Sequence, residues 1–361
     1  MFMRAWQPDH PPHSILLIKG HSAGIGDLLR SSAAWRALRN RFPDVQLHLL
    51  LLTKDPGYPS EGFIARHHLL SSFCSLDKRT HGWAGWRHFL AAAVEFAAAC
   101  QPDMVIDFEP HGLRTSVLCR CLSHWHRPVT VGINQVPLRG IFYTRAAVST
   151  KRFARERNMP NGLEYTDRDF VALAALGIER GDTAIELRAT KEGEIFGHEF
   201  RRWHGLSETT RLLGLNIGCG TPDALPKRPS LAMLSKLAAR LQTQHNLQLV
   251  LTGAPFEAEV NREFIQIHRQ DHPAPVLDLA GKTNLLELAG LIQECDLFIS
   301  SDSGPYHMAV ALRVPTLAIF VHDNWQHFHH HPWVKCVCAN SLEALPLLTQ
   351  AADVLWQAVT S

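Results

Sequence analysis

The chain has 361 residues, of which 46% are hydrophobic and 19% charged, and its formal net charge is +2. Such a length exceeds the usual size of one hydrophobic core, and such a composition is typical of globular rather than disordered chains, so we expect two folded domains. The nearly balanced charge argues against nucleic acid as a partner, and no run of 18 uninterrupted apolar residues predicts a membrane span.

The first half of the chain opens with the pattern of a Rossmann-like unit. An apolar strand over residues 15–18 leads into a glycine-rich loop at residues 20–26, and a helix over residues 27–41 follows. A turn separates this helix from a second strand over residues 45–52. The remaining segments alternate in the same way: a helix over 89–99, a strand over 104–108, a helix over 114–122 and a strand over 129–133.

Asp27 is the candidate catalytic residue of this half. It comes directly after the glycine-rich loop, at the predicted start of a helix. A carboxylate there is stabilised by the free N–H groups of the helix end and can act as a general base. The alternative from the residues alone is that Asp27 caps the helix, a position that aspartate favours.

The second half, from about residue 211, repeats the alternation of strands and helices. Repeated units of this kind predict an α/β fold with two doubly wound parallel sheets, and ligands at the carboxyl ends of the strands in the cleft between the domains. We predict strands over 212–217, 247–252, 276–279, 297–300 and 316–320, and helices over 231–243, 257–269, 285–294 and 342–359.

The turn formed by residues 302–305 has the composition of a helix start. Asp302 and Ser303 are capping candidates, Gly304 is flexible, and Pro305 suits the first helical position. Free backbone N–H groups and the helix dipole at such a turn suit a phosphate or diphosphate. The alternative is an ordinary strand-to-helix turn without a ligand.

Several short segments of the second half follow one another in a distinctive order. They are Gly281-Lys282-Thr283, Leu288-Ala289, Ile292, Asp296-Leu297, Asp302-Ser303-Gly304-Pro305, His307, Ala309, Ala311-Leu312 and Val314-Pro315-Thr316. In order and spacing they resemble the C-terminal signature of glycosyltransferase family 9, the bacterial lipopolysaccharide heptosyltransferases. Two places depart from the family pattern: Arg313 stands where glycine is usual, and residues 321–324 replace a Gly-Pro-Thr-Asp-Pro stretch near the donor.

This resemblance implies a GT-B fold, in which two Rossmann-like domains face a cleft. It implies an N-terminal acceptor-side domain with the catalytic loop over residues 1–185 and a C-terminal nucleotide-sugar domain over residues 186–340. The terminal helix within residues 341–361 is expected to pack back on the N-terminal domain.

The resemblance also implies an inverting transfer of heptose from ADP-heptose to a lipopolysaccharide core acceptor. Gly26 and Asp27 match the Gly-Asp pair of the family, which makes Asp27 the general base for the acceptor hydroxyl. Lys227 matches a lysine that stabilises the departing diphosphate, although on residue type alone it is equally a solvated surface lysine. Two alternatives stay open: another nucleotide-sugar or a protein or other glycan acceptor, and a non-catalytic sugar-binding or scaffold protein.

Further candidate residues follow from the same resemblance. Glu257 is expected to accept hydrogen bonds from ribose hydroxyls, although a first-turn helix glutamate is an equal alternative. Asn216 and Cys219 are weaker donor-side candidates. The donor-binding set is Asp302, Ser303, Gly304, His307, Glu257, Gly253 and Thr221, and the acceptor-binding set is Arg114 and Ser22.

The basic side chains of the first half suit an anionic glycolipid acceptor and contact with anionic lipid at the inner membrane surface. Scattered solvated charge is the alternative, since acids lie between them. The cations concerned are Lys54, Arg79, Arg139, Arg145, Lys151, Arg152, Arg155 and Arg157.

A run of histidines and cysteines near the C-terminus contains good ligands for zinc or iron, namely His322, His327, His329, His330, His331, Cys336 and Cys338. Its spacing fits no standard metal motif, so we predict no metal and no cofactor. The eight cysteines are scattered and the first 14 residues lack the apolar core of a signal peptide. The expected compartment is therefore the cytoplasm, including the inner face of its membrane.

Overall fold

The computed structural model describes residues 10–20, 24–54, 56–79, 82–218 and 222–360. The chain divides into two compact units, Met1–Ile185 and Glu186–Ser361. Each unit is built on one six-stranded sheet in which all strand pairs are parallel. Among the helices within these ranges, none combines the length and apolar character that crossing a membrane needs.

The sheet of the first unit has the strand order β3-β2-β1-β4-β5-β6. Its inner strands are mostly apolar and buried because helices cover both faces of a parallel sheet. The strands are β1 Ser14–Lys19, β2 Gln46–Thr53, β3 Ser72–Asp77, β4 Met104–Asp107, β5 Val129–Ile133 and β6 Arg145–Ala147. The helices are α1 Ile25–Arg41, α2 Pro59–Ile64, α3 Gly82–Cys100, α4 Arg114–His126, α5 Thr150–Glu156 and α6 Arg168–Leu173.

The second unit repeats this topology, with the strand order β12-β11-β10-β7-β8-β9. Its strands are β7 Arg211–Asn216, β8 Leu247–Thr252, β9 Leu277–Asp278, β10 Leu297–Ser301, β11 Thr316–Phe320 and β12 Val334–Cys338. Its helices are α7 Lys191–Trp203, α8 Leu231–His245, α9 Ala258–Asp271, α10 Leu285–Gln293, α11 Gly304–Ala311 and α12 Leu345–Thr360. The predicted fold class, α/β with two doubly wound parallel sheets, is confirmed.

The winding direction reverses at the middle of each sheet, which fixes where a ligand is expected. In the first unit the reversal falls between β1 and β4, and in the second between β7 and β10. Loops leave in opposite directions at the carboxyl ends of such neighbouring strands, and a crevice forms there. Asp27 follows β1, and the turn at residues 302–305 follows β10, so each candidate residue lies at the reversal point of its own sheet.

Helix α12 packs in the core of the second unit. Its residues Leu348, Ala352 and Leu355 are buried together with side chains of α8 and of the central strands. The expected packing of this helix on the N-terminal domain stays a prediction, since the buried face described here belongs to its own unit.

Arg313, where the family pattern has glycine, lies just after α11 in the left-handed region, with φ +61°. A side chain in this conformation is strained by about 1 kcal/mol. The guanidinium of Arg313 lies 5.3 Å from the centroid of the Trp333 ring, a cation–π contact that offsets part of the strain.

We therefore expect the variant Arg313→Gly to be more stable than Arg313→Ala by about 1 kcal/mol, because both lose the contact with Trp333 and only glycine relieves the backbone. Urea denaturation of the two variants measures the difference. Equal free energies of unfolding would show that this turn carries no strain.

Candidate functional site

The carboxyl ends of β7, β8 and β10 are joined by the buried side chain of Asn216. Its Nδ2 atom donates hydrogen bonds to the Gly218 carbonyl at 2.9 Å and to Ser303 Oγ at 3.1 Å. Its Oδ1 atom accepts from Thr252 Oγ1 at 3.0 Å. One amide side chain thus fixes the loops that follow three strands. Asn216 was only a weaker candidate in the sequence.

The hydrogen-bond network around Asn216 also includes the residue at the start of α11. Ser303 is the N-cap residue, but its side chain makes no cap hydrogen bond; its hydroxyl instead lies 3.0 Å from Ser300 Oγ. Gly304 and Pro305 begin the helix. The first amides of a helix have no acceptor within it, and Ser303 does not supply one through its side chain, so this turn retains the donors that an anion needs. Binding of a phosphate there stays a prediction.

Lys227 and Asp302 come together although they are 75 positions apart in the chain. Lys227 Nζ lies 2.7 Å from Asp302 Oδ2, and 39% of the lysine side chain is exposed whereas the carboxylate is buried. On the other side of the same carboxylate, His327 Nδ1 lies 3.6 Å from Oδ1. Lys227 is thus a positioned cation at the start of α11 rather than a freely solvated surface lysine.

His307 belongs to a cluster of buried rings beside this turn. Its Nδ1 atom lies 2.9 Å from Nε2 of His329. The hydroxyl of Tyr306 accepts a hydrogen bond from the backbone N–H of His329 at 3.1 Å and donates one to the His327 carbonyl at 3.2 Å. Asp302, His307 and His327 each offer a ligand atom within 4.8 Å of the others, so these residues could hold a metal ion.

Glu257 is buried against two glycine backbones at the end of β8. Its Oε2 atom accepts a hydrogen bond from the Ala254 N–H at 2.7 Å. A Cβ atom on Gly218 would overlap its carboxylate, and one on Gly253 would lie 3.3 Å from it. This contact agrees with the alternative interpretation, in which Glu257 is a glutamate of the first helical turn. Hydrogen bonds from Glu257 to ribose stay a prediction.

Asp27 is the third residue of α1, whose N-cap is Gly24, so the capping alternative for Asp27 is wrong. Its Oδ1 atom lies 2.6 Å from a terminal nitrogen of Arg30, and 26% of the aspartate side chain is exposed. The Arg30 guanidinium lies 5.2 Å from the centroid of the Tyr165 ring. The arginine favours the ionised carboxylate, which is the form that a general base requires, and the partial exposure lets a substrate reach it.

A group of cations lies beside the same end of the first sheet. Lys78 Nζ donates a hydrogen bond to the Gly20 carbonyl at 2.9 Å, and the side chain of Arg114 donates one to the Lys78 carbonyl. Burial lowers the pKa of Lys78 from its ordinary value; Glu109 opposes this shift, and the charges of Lys54 and Arg114 add to it. Arg114 was predicted from the sequence as an acceptor-binding residue. Lys78 was missed because the strand before it was not predicted.

Other cations of the first half do not join this group. The side chain of Arg139 is 0% exposed and pairs with Asp107 at 2.9 Å. Its predicted contribution to a basic surface is therefore wrong, because its charge is neutralised in the core. Other arginines of this unit pair with nearby acids, as seen for the exposed Arg79 and Arg152 and the half-buried Arg157.

Three residues named from the sequence lie outside the described part of the chain. They are Ser22 on the acceptor side, and Cys219 and Thr221 on the donor side.

Residues 232–351 match the sequence model described as glycosyltransferase family 9 (heptosyltransferase). This region contains Gly253, Glu257 and the turn from Asp302 to His307, but neither Lys227 nor Asp27. The lipooligosaccharide heptosyltransferase 2 of Campylobacter jejuni is 34% identical over 110 residues, which are 30% of this chain and 33% of that protein. The alignments with such curated relatives thus span about a third of their length or less.

Two solved structures resemble the whole chain. A family 9 glycosyltransferase from Veillonella parvula has a TM-score of 0.73 at 20% identity, covering 95% of this chain and 89% of that one. The ADP-heptose lipopolysaccharide heptosyltransferase II of Escherichia coli has a TM-score of 0.67 at 17% identity, covering 96% and 99%. At these identities the likeness shows the fold, which is GT-B.

Proposed function

We propose that this chain, which belongs to glycosyltransferase family 9, is an inverting glycosyltransferase that transfers heptose from ADP-heptose to a lipopolysaccharide core acceptor. The observation that carries the proposal is the convergence of Lys227, Asp302 and Ser303 at the start of α11. Two of these three residues lie in the region that matches the family. The names of the relatives add the sugar and the nucleotide, since they are heptosyltransferases and one is named for ADP-heptose.

On the donor side, the residues around α11 would stabilise the leaving diphosphate. Negative charge grows on the diphosphate as its bond to the anomeric carbon breaks, and preorganised positive groups stabilise that charge. Lys227 provides a point charge that Asp302 holds at the helix start. The backbone N–H groups of Ser303 and Gly304 add the partial positive charge of the helix end.

On the acceptor side, Asp27 would remove the proton of the attacking hydroxyl. The oxygen forms its bond to the anomeric carbon from the face opposite the diphosphate, so the configuration inverts, and the proton passes to the Asp27 carboxylate. Arg30 keeps that carboxylate in one orientation.

The acceptor itself would be recognised through its negative charge. Lys78, Lys54 and Arg114 form the cation group of the first unit. Phosphate or carboxylate groups of a glycolipid core suit such a group, and so do anionic lipid headgroups. We accordingly propose that the enzyme works in the cytoplasm, in peripheral contact with the inner surface of the membrane.

A panel of nucleotides and their sugar conjugates tests the donor. We expect ADP and ADP-heptose to raise the midpoint of thermal unfolding, since a ligand at 100 times its dissociation constant adds about 2.7 kcal/mol. For a unit of this size that corresponds to a shift of about 5–10 °C. A shift with UDP, GDP or CMP conjugates instead would be compatible with the proposed mechanism but would rule out ADP-heptose as the donor.

The absence of any shift would favour the non-catalytic alternative. The departure at residues 321–324, which follow β11 on the donor side, is the observation that keeps this alternative open.

Lys227→Ala is expected to lower kcat by about 100-fold, because the leaving diphosphate loses its positioned cation. The measurement is the rate of ADP release with donor and acceptor at saturation. Lys236→Ala is the matched control, since Lys236 also pairs with an aspartate of the second unit, Asp271, but away from α11. Equal rates for the two variants would remove Lys227 from the mechanism.

A further inference from the structure

We propose that Asp302, His307 and His327 bind one divalent transition-metal ion, with zinc and iron(II) as the favoured metals. Their ligand atoms all lie within 4.8 Å of one another. Two imidazoles and one carboxylate are the donor set of many zinc and non-haem iron(II) sites, whereas magnesium and calcium prefer oxygen ligands alone.

One of the three ligand separations is close to the value that such an ion requires, and all three are within 4.8 Å. In a tetrahedral site with bonds of about 2.0–2.1 Å, neighbouring ligand atoms are about 3.3 Å apart. His327 Nδ1 and Asp302 Oδ1 are separated by 3.6 Å. His327 is the most exposed of the three, with 21% of its side chain accessible, so it has more room to move to ligand distance than the buried Asp302 and His307.

Two of the three ligands are already oriented by partners of their own. Lys227 binds Oδ2 of Asp302, which directs Oδ1 towards His327. His329 engages Nδ1 of His307, so Nε2 is the ring nitrogen that we assign to the metal. Hydrogen-bonded second partners of this kind are typical of metal-ligating imidazoles and carboxylates.

The segment that carries His327 is fixed to α11 by Tyr306. The tyrosine hydroxyl donates to the His327 carbonyl and accepts from the His329 N–H. This contact holds the short helix Trp325–His327 against the start of α11. Three ligands leave coordination positions for water or for an oxygen of a bound ligand.

The sequence predicts no metal because the histidines and cysteines of the run have no standard motif spacing. The fold, however, brings together residues that are far apart in the sequence. Cys336, which the sequence offered as a ligand, lies on β12 with its Sγ atom 3.3 Å from the hydroxyl of Tyr306. Asp302 takes part instead, from a turn 25 residues before His327. The ligand set therefore combines an aspartate outside the run, a helical histidine and a single member of the run.

Metal titration of the protein alone tests this inference, without any sugar nucleotide and so independently of the proposed function. The full chain is purified without a histidine tag, stripped with a chelator and titrated with Zn²⁺ by calorimetry and with Co²⁺ by visible absorption. We expect one ion per chain and a rise of about 5 °C in the thermal midpoint at saturation. Mg²⁺ should produce neither effect.

His327→Gln should weaken Zn²⁺ binding by at least about 100-fold, since loss of a direct ligand costs more than loss of its hydrogen-bonded partner. His330→Gln is the control, because His330 is an exposed histidine of the same run outside the ligand set. Circular dichroism confirms that both variants are folded.

Two results would overturn the inference. One is a stripped wild-type chain that binds no Zn²⁺ at micromolar concentration. The other is equal binding by His327→Gln and the wild type, which would mean surface binding by the histidine run.

Discussion

Replacing Asp27 by asparagine is expected to lower kcat by about 1,000-fold or more while the protein stays folded. Asparagine has nearly the same shape and can keep a contact with Arg30, but it cannot take the proton of the acceptor hydroxyl. General-base catalysis contributes about 10²- to 10⁴-fold to enzymatic rates, which sets this magnitude. The measurement is the rate of glycosyl transfer at saturating donor and acceptor, together with the thermal midpoint of the variant.

A matched control separates loss of the base from loss of an ion pair. Glu156 pairs with Arg152 at 2.7 Å on the exposed face of α5, in the same unit as Asp27. Glu156→Gln therefore makes the same change from a carboxylate to an amide beside an arginine, and its rate should equal that of the wild type. Unchanged transfer by Asp27→Asn would remove Asp27 as the base and leave the proton to another group.

The pH dependence of glycosyl transfer is a second, independent test of Asp27 as the general base. A base acts only when it is ionised, so the wild-type rate should fall on the acid side of its profile. Asp27→Asn has no carboxylate to protonate and should lose that fall. An identical acid limb in both proteins would assign it to another group.

The apolar runs made most of the fold predictable from sequence. Residues 129–133, 247–252 and 316–320 were predicted with the bounds that the structure shows, because each run ends where polar or turn residues begin. Among the edge strands, β9 was predicted, whereas β3, β6 and β12 were missed. β3 is only half buried along its length, and β12 contains Lys335 and the exposed Cys338. A strand with one open side lacks the continuous apolar pattern of an inner parallel strand.

The main residues of the site could be predicted from the sequence, but the side chains that they contact could not. The motif around residues 302–305 and the Gly-Asp pair pointed to Asp302 and Asp27 without structure. No sequence pattern joins Lys227 to Asp302, since that contact depends on how β10 and the short helix Pro222–Lys227 fold together. For the same reason, sequence alone could not choose His327 from five histidines within ten residues.

Gly290→Ala is expected to destabilise the second unit by about 3 kcal/mol, the upper end of the usual cost of overpacking. Helices α7 and α10 approach so closely here that a Cβ atom on Gly290 would overlap the Gly193 carbonyl oxygen and lie 2.9 Å from its Cα atom. Both obstacles are backbone atoms, so the two helices must separate. The gain in helix propensity of about 1 kcal/mol offsets only part of this cost.

Calorimetry should show the loss as a fall of about 6–12 °C in the unfolding midpoint of the second unit. Gly62→Ala is the control with the opposite sign. Gly62 is also helical, and an added Cβ there meets no described atom within 4 Å, so alanine should stabilise the first unit by up to about 1 kcal/mol. If Gly290→Ala also stabilised the protein, α7 and α10 could not approach each other as closely as described. The glycines of α7 and α10 would then need another explanation, because glycine within a helix is otherwise unfavourable.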